Sequence, residues 1–275
     1  MVFKNNHILK FFLLTFIWSW GFWLVPVFFG IETAVPAIFY AIGGIAPTSA
    51  GIILAYLKRD QEYWQDFWQR IVSFRQISFK WYLIIFLLIP ITSLFSLIIN
   101  FFITGLIPEL STLKDFLADP VKLITFSVIM LFFGPIIEEI GWRGFALDHL
   151  EKRYSWFVSS IILGSFWALW HLPLFFIAGT YQYALMQESF VYFISFIIAF
   201  FPLSVIMDWI YNNTGRSILS GVLFHFAINF FGELIDMPNN IKYIITTIIL
   251  FIIAIVILIS WKKKDSYPLD GYMNV

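Results

Sequence analysis

Eight apolar stretches, most of them about 20 residues long, constrain this chain more than any other feature. They run from Ile8 to Phe29, Ala34 to Leu57, Trp81 to Gly105, Leu123 to Leu147, Phe157 to Ala178, Ser189 to Tyr211, Ser217 to Phe231 and Ile241 to Trp261. A run of that length suits a helix crossing the hydrocarbon core of a bilayer. The expected architecture is therefore all-α: a polytopic membrane protein of about eight transmembrane helices, forming a single integral membrane domain over residues 1–275. Composition agrees, because only 12% of residues are charged and 60% are hydrophobic, whereas a soluble domain carries about 25% charged residues. The first stretch does not read as a cleavable signal, since its apolar core is too long and lacks a small-residue cleavage site at its end. No internal repeat or low-complexity segment is evident.

Charge orients the chain. With the N-terminus in the cytoplasm, the inside segments hold Lys4, Lys10, Lys58, Arg59, Arg70, Arg75, Lys80, Arg143, Lys152, Arg153, Arg216, Lys262, Lys263 and Lys264. The outside loops hold Lys114, Lys122 and Lys242. Fourteen cations against three satisfies the positive-inside rule on every loop. Both termini are thus expected inside, and the expected location is the cell membrane. The polar but aromatic stretch from Lys58 to Lys80, with Trp64, Phe67, Trp68 and Phe74, reads as an amphipathic helix lying on the membrane surface. The absence of cysteine removes disulfides, cysteine-ligated metals and any cysteine nucleophile. Zero net charge, with cations placed between apolar runs, argues against a nucleic-acid partner.

Against this background the ionisable residues inside the apolar runs are conspicuous, because such groups are costly in a membrane and tend to mark function. The fourth stretch contains Glu138, Glu139 and Arg143 within GPIIEEIGWRGFAL. Glu139 and Arg143 stand one helical turn apart in the favourable order for an ion pair, which assigns them a structural role. Glu138 points about 100° away around the helix and has no partner within it. A desolvated carboxylate without a cation is suited to act as a general base. His171 lies in the fifth stretch, one turn after Trp167, and Pro173 should loosen the backbone beside it. His225 and Asn229 share a face of the seventh. Asp208 lies near the cytoplasmic end of the sixth, where water can reach it. His7 and His149 fall outside the apolar cores and are given no role.

A lone intramembrane histidine most simply makes a helix–helix hydrogen bond. Four such groups, Glu138, His171, His225 and Asn229, on three helices point instead to a shared polar cavity opening to the cytoplasm. Counted from that face, Glu138 and His225 come out ~12–14 Å deep and His171 ~21 Å. There is no HExxH, and the context of Ser220–Gly221 is weak for a serine nucleophile.

Three segments carry a family resemblance. EEIGWR fits an EExxxR motif, WALWH fits a motif usually written FxxxH, and HFAIN fits HxxxN. Their order and spacing resemble the CAAX prenyl protease and bacteriocin-processing (CPBP, or Abi) family of intramembrane endopeptidases, with a family-like catalytic core at about residues 123–231. Trp167 replaces the usual Phe and is expected to preserve packing while leaving the chemistry intact. The resemblance implies that Glu138 and His171 activate water, while His225 and Asn229 hold the oxyanion. It also implies a membrane-associated or lipidated peptide as substrate, for CAAX-type processing or for bacteriocin and peptide maturation with self-immunity. A competing arrangement uses a single Zn2+ held by Glu138, His171 and His225; otherwise no cofactor is needed. Asn229 fits the oxyanion role better, since Asn rarely ligates zinc. Two non-proteolytic readings stand beside these, a membrane scaffold or regulator retaining the fold and a small-solute transporter.

Overall fold

The computed structural model describes residues 7–105, 107, 110–234 and 241–261. Among them every regular element is helical. In chain order the α-helices are α1 (His7–Phe29), α2 (Ala34–Gly44), α3 (Ala46–Leu57), α4 (Gln61–Ile71), α5 (Phe79–Thr104), α6 (Ser111–Ala118) and α7 (Pro120–Leu131). They continue with α8 (Ile137–Gly141), α9 (Asp148–Glu151), α10 (Trp156–Trp170), α11 (Tyr181–Glu188), α12 (Phe190–Asn213), α13 (Ile218–Leu234) and α14 (Ile241–Ser260).

Six helical segments are long and apolar enough to cross a membrane, or seven if the bent pair α2–α3 is one span. The remaining apolar stretch forms α13, which is shorter at 17 residues. Two expected continuous helices are broken. The Ala34–Leu57 stretch bends by 44° between α2 and α3, next to Pro47, whose nitrogen can donate no helical hydrogen bond. The Leu123–Leu147 stretch passes through wide, π-type turns at Phe132–Ile136 and Trp142–Leu147, which separate α7, α8 and α9. As Pro173 suggests, α10 ends at Trp170 and a short 3-10 segment, Leu172–Phe176, follows.

α3 and α8 meet through their backbones. A β-carbon on Gly141 would lie 2.1 Å from the Pro47 carbonyl oxygen, and one on Gly51 would lie 3.1 Å from the Gly141 Cα. Small residues permit this approach, as they commonly do between membrane helices. The contact fixes α8, which carries both glutamates, against the bent pair.

α4, within the Lys58–Lys80 stretch, is amphipathic. Asp60 caps it by accepting from the Tyr63 backbone N–H at 3.0 Å. Tyr63, Phe67 and Arg70, spaced along one face, are buried against the bundle. Phe67 approaches Gly144 and lies beside Ile218. The helix therefore covers one end of the bundle with its inner face, while Trp68 on another face remains exposed. Ion pairs fasten it there. The Arg70 Nη2 reaches Asp148 Oδ2 at 2.7 Å, and its Nη1 donates to the Tyr211 hydroxyl at 2.7 Å. Tyr211 donates to Asp148 Oδ1 at 2.5 Å, and Arg216 pairs with Asp148 at 2.7 Å. Burial works against the charge on Arg70, but Asp148, Tyr211 and Asp66 together outweigh it and hold the guanidinium above its ordinary value. Asp148 does the same for Arg216.

Breaking one partner of a buried pair leaves the other charge uncompensated and costs about 3–5 kcal/mol. Arg70→Ala is accordingly expected to lower the thermal unfolding midpoint in detergent markedly, whereas the exposed Trp68→Ala should change it little.

Candidate active site

The site is built around the break before α8. Phe133 (φ −94°, ψ 67°) and Gly134 (φ 153°, ψ −87°) leave helical geometry, and Pro135 follows. Gly134 adopts a left-handed backbone that a side chain would strain. Its missing side chain also leaves space: a β-carbon there would sit 3.1 Å from Asn229 Nδ2 and 4.0 Å from Glu138 Oε1. The carboxylate and the amide donor therefore border the same gap. After the break the helix restarts and places Glu138 and Glu139 in the first turn of α8, both buried.

The two glutamates have separate surroundings. Glu139 forms an ion pair with Arg143 Nη1 at 2.9 Å, with neither side chain exposed. Arg143 Nε also reaches Asp208 Oδ1 at 3.4 Å, and its guanidinium lies 4.6 Å from the centre of the Trp167 ring. Asp208 is fully buried, so the expectation that water reaches it is corrected: it is a counter-charge for Arg143. Glu138 accepts a hydrogen bond from the Trp167 indole N–H at 2.6 Å, through Oε2. This corrects the expectation that Trp167 only packs. A phenylalanine ring has no such donor, so the substitution in the motif does bear on the carboxylate.

Hydrogen bonding also fixes the histidine tautomers. His171 Nδ1 lies 2.8 Å from the Trp167 carbonyl oxygen, which can only accept, so Nδ1 carries the proton. His225 Nδ1 lies 2.8 Å from Glu139 Oε1, and a carboxylate paired with arginine likewise accepts. Each histidine is left with Nε2 as its free ring nitrogen. Glu139 thus orients His225 as well as neutralising Arg143, a link that no spacing within one helix could reveal. Ser220 is engaged elsewhere, donating to the Ser217 carbonyl at 2.7 Å and accepting from Thr214. His149 is packed against Phe145, with Nδ1 2.8 Å from that residue's carbonyl oxygen.

Glu138, His171, His225 and Asn229 all line one cavity of about 910 Å³. Its walls are otherwise mainly apolar, with Trp23, Ile89, Phe132, Phe196 and Leu250 among them. Its lining extends to Tyr181, Gln182, Glu233 and Tyr243. Glu138, His171 and His225 do not assemble as the zinc set considered above: among the described residues no three His, Asp or Glu side chains are grouped so as to hold a metal ion.

Fold and site together define a helical membrane protein with a buried carboxylate–histidine–amide cluster facing an apolar chamber. The pattern of the Type II CAAX prenyl endopeptidase Rce1-like family matches residues 120–231. The chain is also 32% identical over 258 residues to CAAX prenyl protease 2 of Methanococcus maripaludis, covering 92% of this chain and 93% of that relative. The chain belongs to the CAAX prenyl endopeptidase family of membrane proteases.

The two glutamates should separate in a stability measurement. Glu139→Gln leaves the buried Arg143 with Asp208 as its remaining ion-pair partner and is expected to lower the unfolding midpoint strongly. Glu138→Gln retains an acceptor for the Trp167 N–H and should unfold close to the unaltered protein.

Proposed function

We propose that the protein is an intramembrane endopeptidase in which Glu138 and His171 activate a water molecule and His225 with Asn229 stabilise the oxyanion. The observation that carries this reading is the arrangement of those four groups around one chamber, with the neighbouring Glu139 occupied by Arg143 and His225. Trp167 occupies Glu138 Oε2, which leaves Oε1 at the gap beside Gly134 to accept a proton from water. His171 Nε2 provides a second acceptor for the water. The resulting hydroxide oxygen bonds to the peptide carbonyl carbon, and the electrons displaced onto oxygen are met by the Asn229 Nδ2–H. His225, oriented by Glu139 at Nδ1, contributes a second donor when its Nε2 carries a proton. Collapse of the tetrahedral intermediate breaks the C–N bond, and Glu138 returns its proton to the leaving amine.

The apolar walls suit a membrane-associated or lipidated peptide. CAAX-type processing and peptide maturation with self-immunity both fall within that substrate class. On the same reading the protein sits in the cell membrane with both termini in the cytoplasm, which the fourteen-to-three distribution of cations supports.

Glu138→Gln is expected to abolish cleavage of a cognate membrane peptide while the protein still inserts and folds. Full cleavage by that variant would overturn the mechanism, and intact biological function without cleavage would favour the scaffold reading. Trp167→Phe removes one hydrogen bond to a carboxylate, worth about 1.5–3 kcal/mol, and should lower kcat by roughly tenfold or more while leaving KM little changed. Assay of the purified protein with and without a chelator, alongside metal analysis, tests whether a metal takes part.

A further inference from the structure

The end of the bundle that α4 covers gathers most of the cations, among them Lys58, Arg70, Arg75, Lys80, Lys152 and Arg216. Arg70 and Arg216 have Asp148 as their counter-charge. Lys58, just after α3, and Lys152, just after α9, do not. Both turn instead toward one ring: the Lys58 ammonium lies 3.8 Å from the centre of Tyr63, and that of Lys152 lies 5.6 Å from it. Among the described residues no carboxylate comes within ion-pair distance of either ammonium. The nearby acids are engaged elsewhere. Asp148 holds Arg70, Arg216 and Tyr211, Asp60 caps α4, and Glu151 accepts from the Asn212 amide at 2.7 Å. Two like charges drawn to one ring repel each other. Burial and the charge on Lys152 accordingly hold Lys58 below its ordinary value.

Two histidines border the same ring. His149 stands 5.8 Å from Tyr63, and His7 stands 5.6 Å from His149, ring centre to ring centre. His149 Nδ1 faces the Phe145 carbonyl, which can only accept, so Nδ1 carries the proton and Nε2 is the free nitrogen. That nitrogen is buried and has no hydrogen-bond partner, an arrangement that is uncommon and costly in a packed interior. Lys10, Lys58, Lys152 and Arg153 all act on His7 electrostatically. Segments from α1, α3, α4 and α9 are thus brought together around two uncompensated ammonium groups and an unpaired imidazole nitrogen.

We propose that Lys58, Lys152, His7 and His149 form a binding site for a phosphate group, supplied by an anionic lipid whose acyl chains lie along α1 and α3. The ammonium groups supply the charge that a phosphate needs. His149 Nε2 accepts from an acidic phosphate or, with a proton of its own, donates to a phosphate oxygen; either way one proton is shared with the ligand. The neighbouring surface favours a lipid as the source. Ile53, Tyr56 and Leu57 precede Lys58 on α3 and are exposed, as are Leu13 and Ile17 on α1. Acyl chains laid on those residues would bring their head group to the lysines, whereas free phosphate offers the same oxygens but nothing for the apolar surface. None of the four residues lines the chamber, so the site stands apart from the protease reading.

The test uses the purified full-length protein, stripped of lipid in a neutral detergent. It would be titrated with phosphatidylglycerol, phosphatidylcholine or inorganic phosphate while the unfolding midpoint is followed. Phosphatidylglycerol is expected to raise the midpoint by about 3–6 °C for each tenfold excess over the dissociation constant. Phosphatidylcholine, whose choline cancels the phosphate charge, should not. The double variant Lys58→Gln, Lys152→Gln keeps both apolar stems and is expected to lose the rise. Lys80→Ala, which removes an exposed cation at the same end but outside the cluster, should retain it. The chain has four histidines, so the His149 side-chain nitrogen signal can be assigned with His149→Gln, and it is expected to move when phosphatidylglycerol is added. No rise in the unaltered protein, an equal rise in the double variant or with phosphatidylcholine, or an unmoved His149 signal would overturn the site. A rise with inorganic phosphate alone would support a phosphate site and overturn the lipid as its source.

Discussion

Everything at the centre of this protein is arranged around one buried guanidinium. Arg143 has no exposed surface, and a cation so placed must be neutralised where it stands. Glu139 supplies one counter-charge from the preceding turn, Asp208 a second from α12, and the face of Trp167 a third contact from α10. Three helical segments are thereby held to a single point. Two of those partners also reach a chamber residue: Glu139 bonds to His225, and Trp167 donates to Glu138 while its carbonyl fixes the His171 tautomer. The charge that makes the segment expensive in a membrane is also the one that sets the geometry of the chamber wall.

A second ionic knot closes the structure at the cation-rich end. Asp148 receives Arg70, Arg216 and the Tyr211 hydroxyl, so that α4, α12 and the start of α13 share one carboxylate. Between the two knots the interior is closely packed. Beyond Arg143 in the other direction the packing opens into the chamber, because Gly134 and Pro135 break the helix there and bring no bulk of their own. The polar cluster therefore lies at the boundary between a sealed half and an open half. A nucleophilic water beside Glu138 would lie on the open side of that boundary, within reach of apolar substrate.

Much of this was legible before any coordinates. The apolar runs specify helices, and the i, i+4 relation of Glu139 and Arg143 specifies their ion pair. Pro173 foretells the end of α10. Glu138, Trp167, His171, His225 and Asn229, drawn from the three motifs, are found around one cavity. What local pattern missed has a common cause: each omission depends on a contact between segments distant in the chain. Asp208 looks interfacial until α12 is packed against Arg143. Trp167 looks like filler until its indole is set beside a carboxylate 29 residues away. The close backbone approach of α3 to α8 at Gly51 and Gly141 likewise appears only once the two segments are packed together.

By itself the sequence determined that the chain is a helical membrane protein, which half of its loops carries the cations, and which intramembrane residues are too costly to be incidental. Those conclusions follow from transfer energies and helical periodicity, and both act locally. Tertiary structure decided which carboxylate meets which base and that α4 packs over the cation-rich end. These depend on the relative placement of helices, and a membrane helix can present either end of a polar cluster to a cavity without any change in its own periodicity. The pair of glutamates in GPIIEEIGWRGFAL shows the difference: spacing separates them by 100° on one helix, but only the neighbours from α10, α12 and α13 give each its partner.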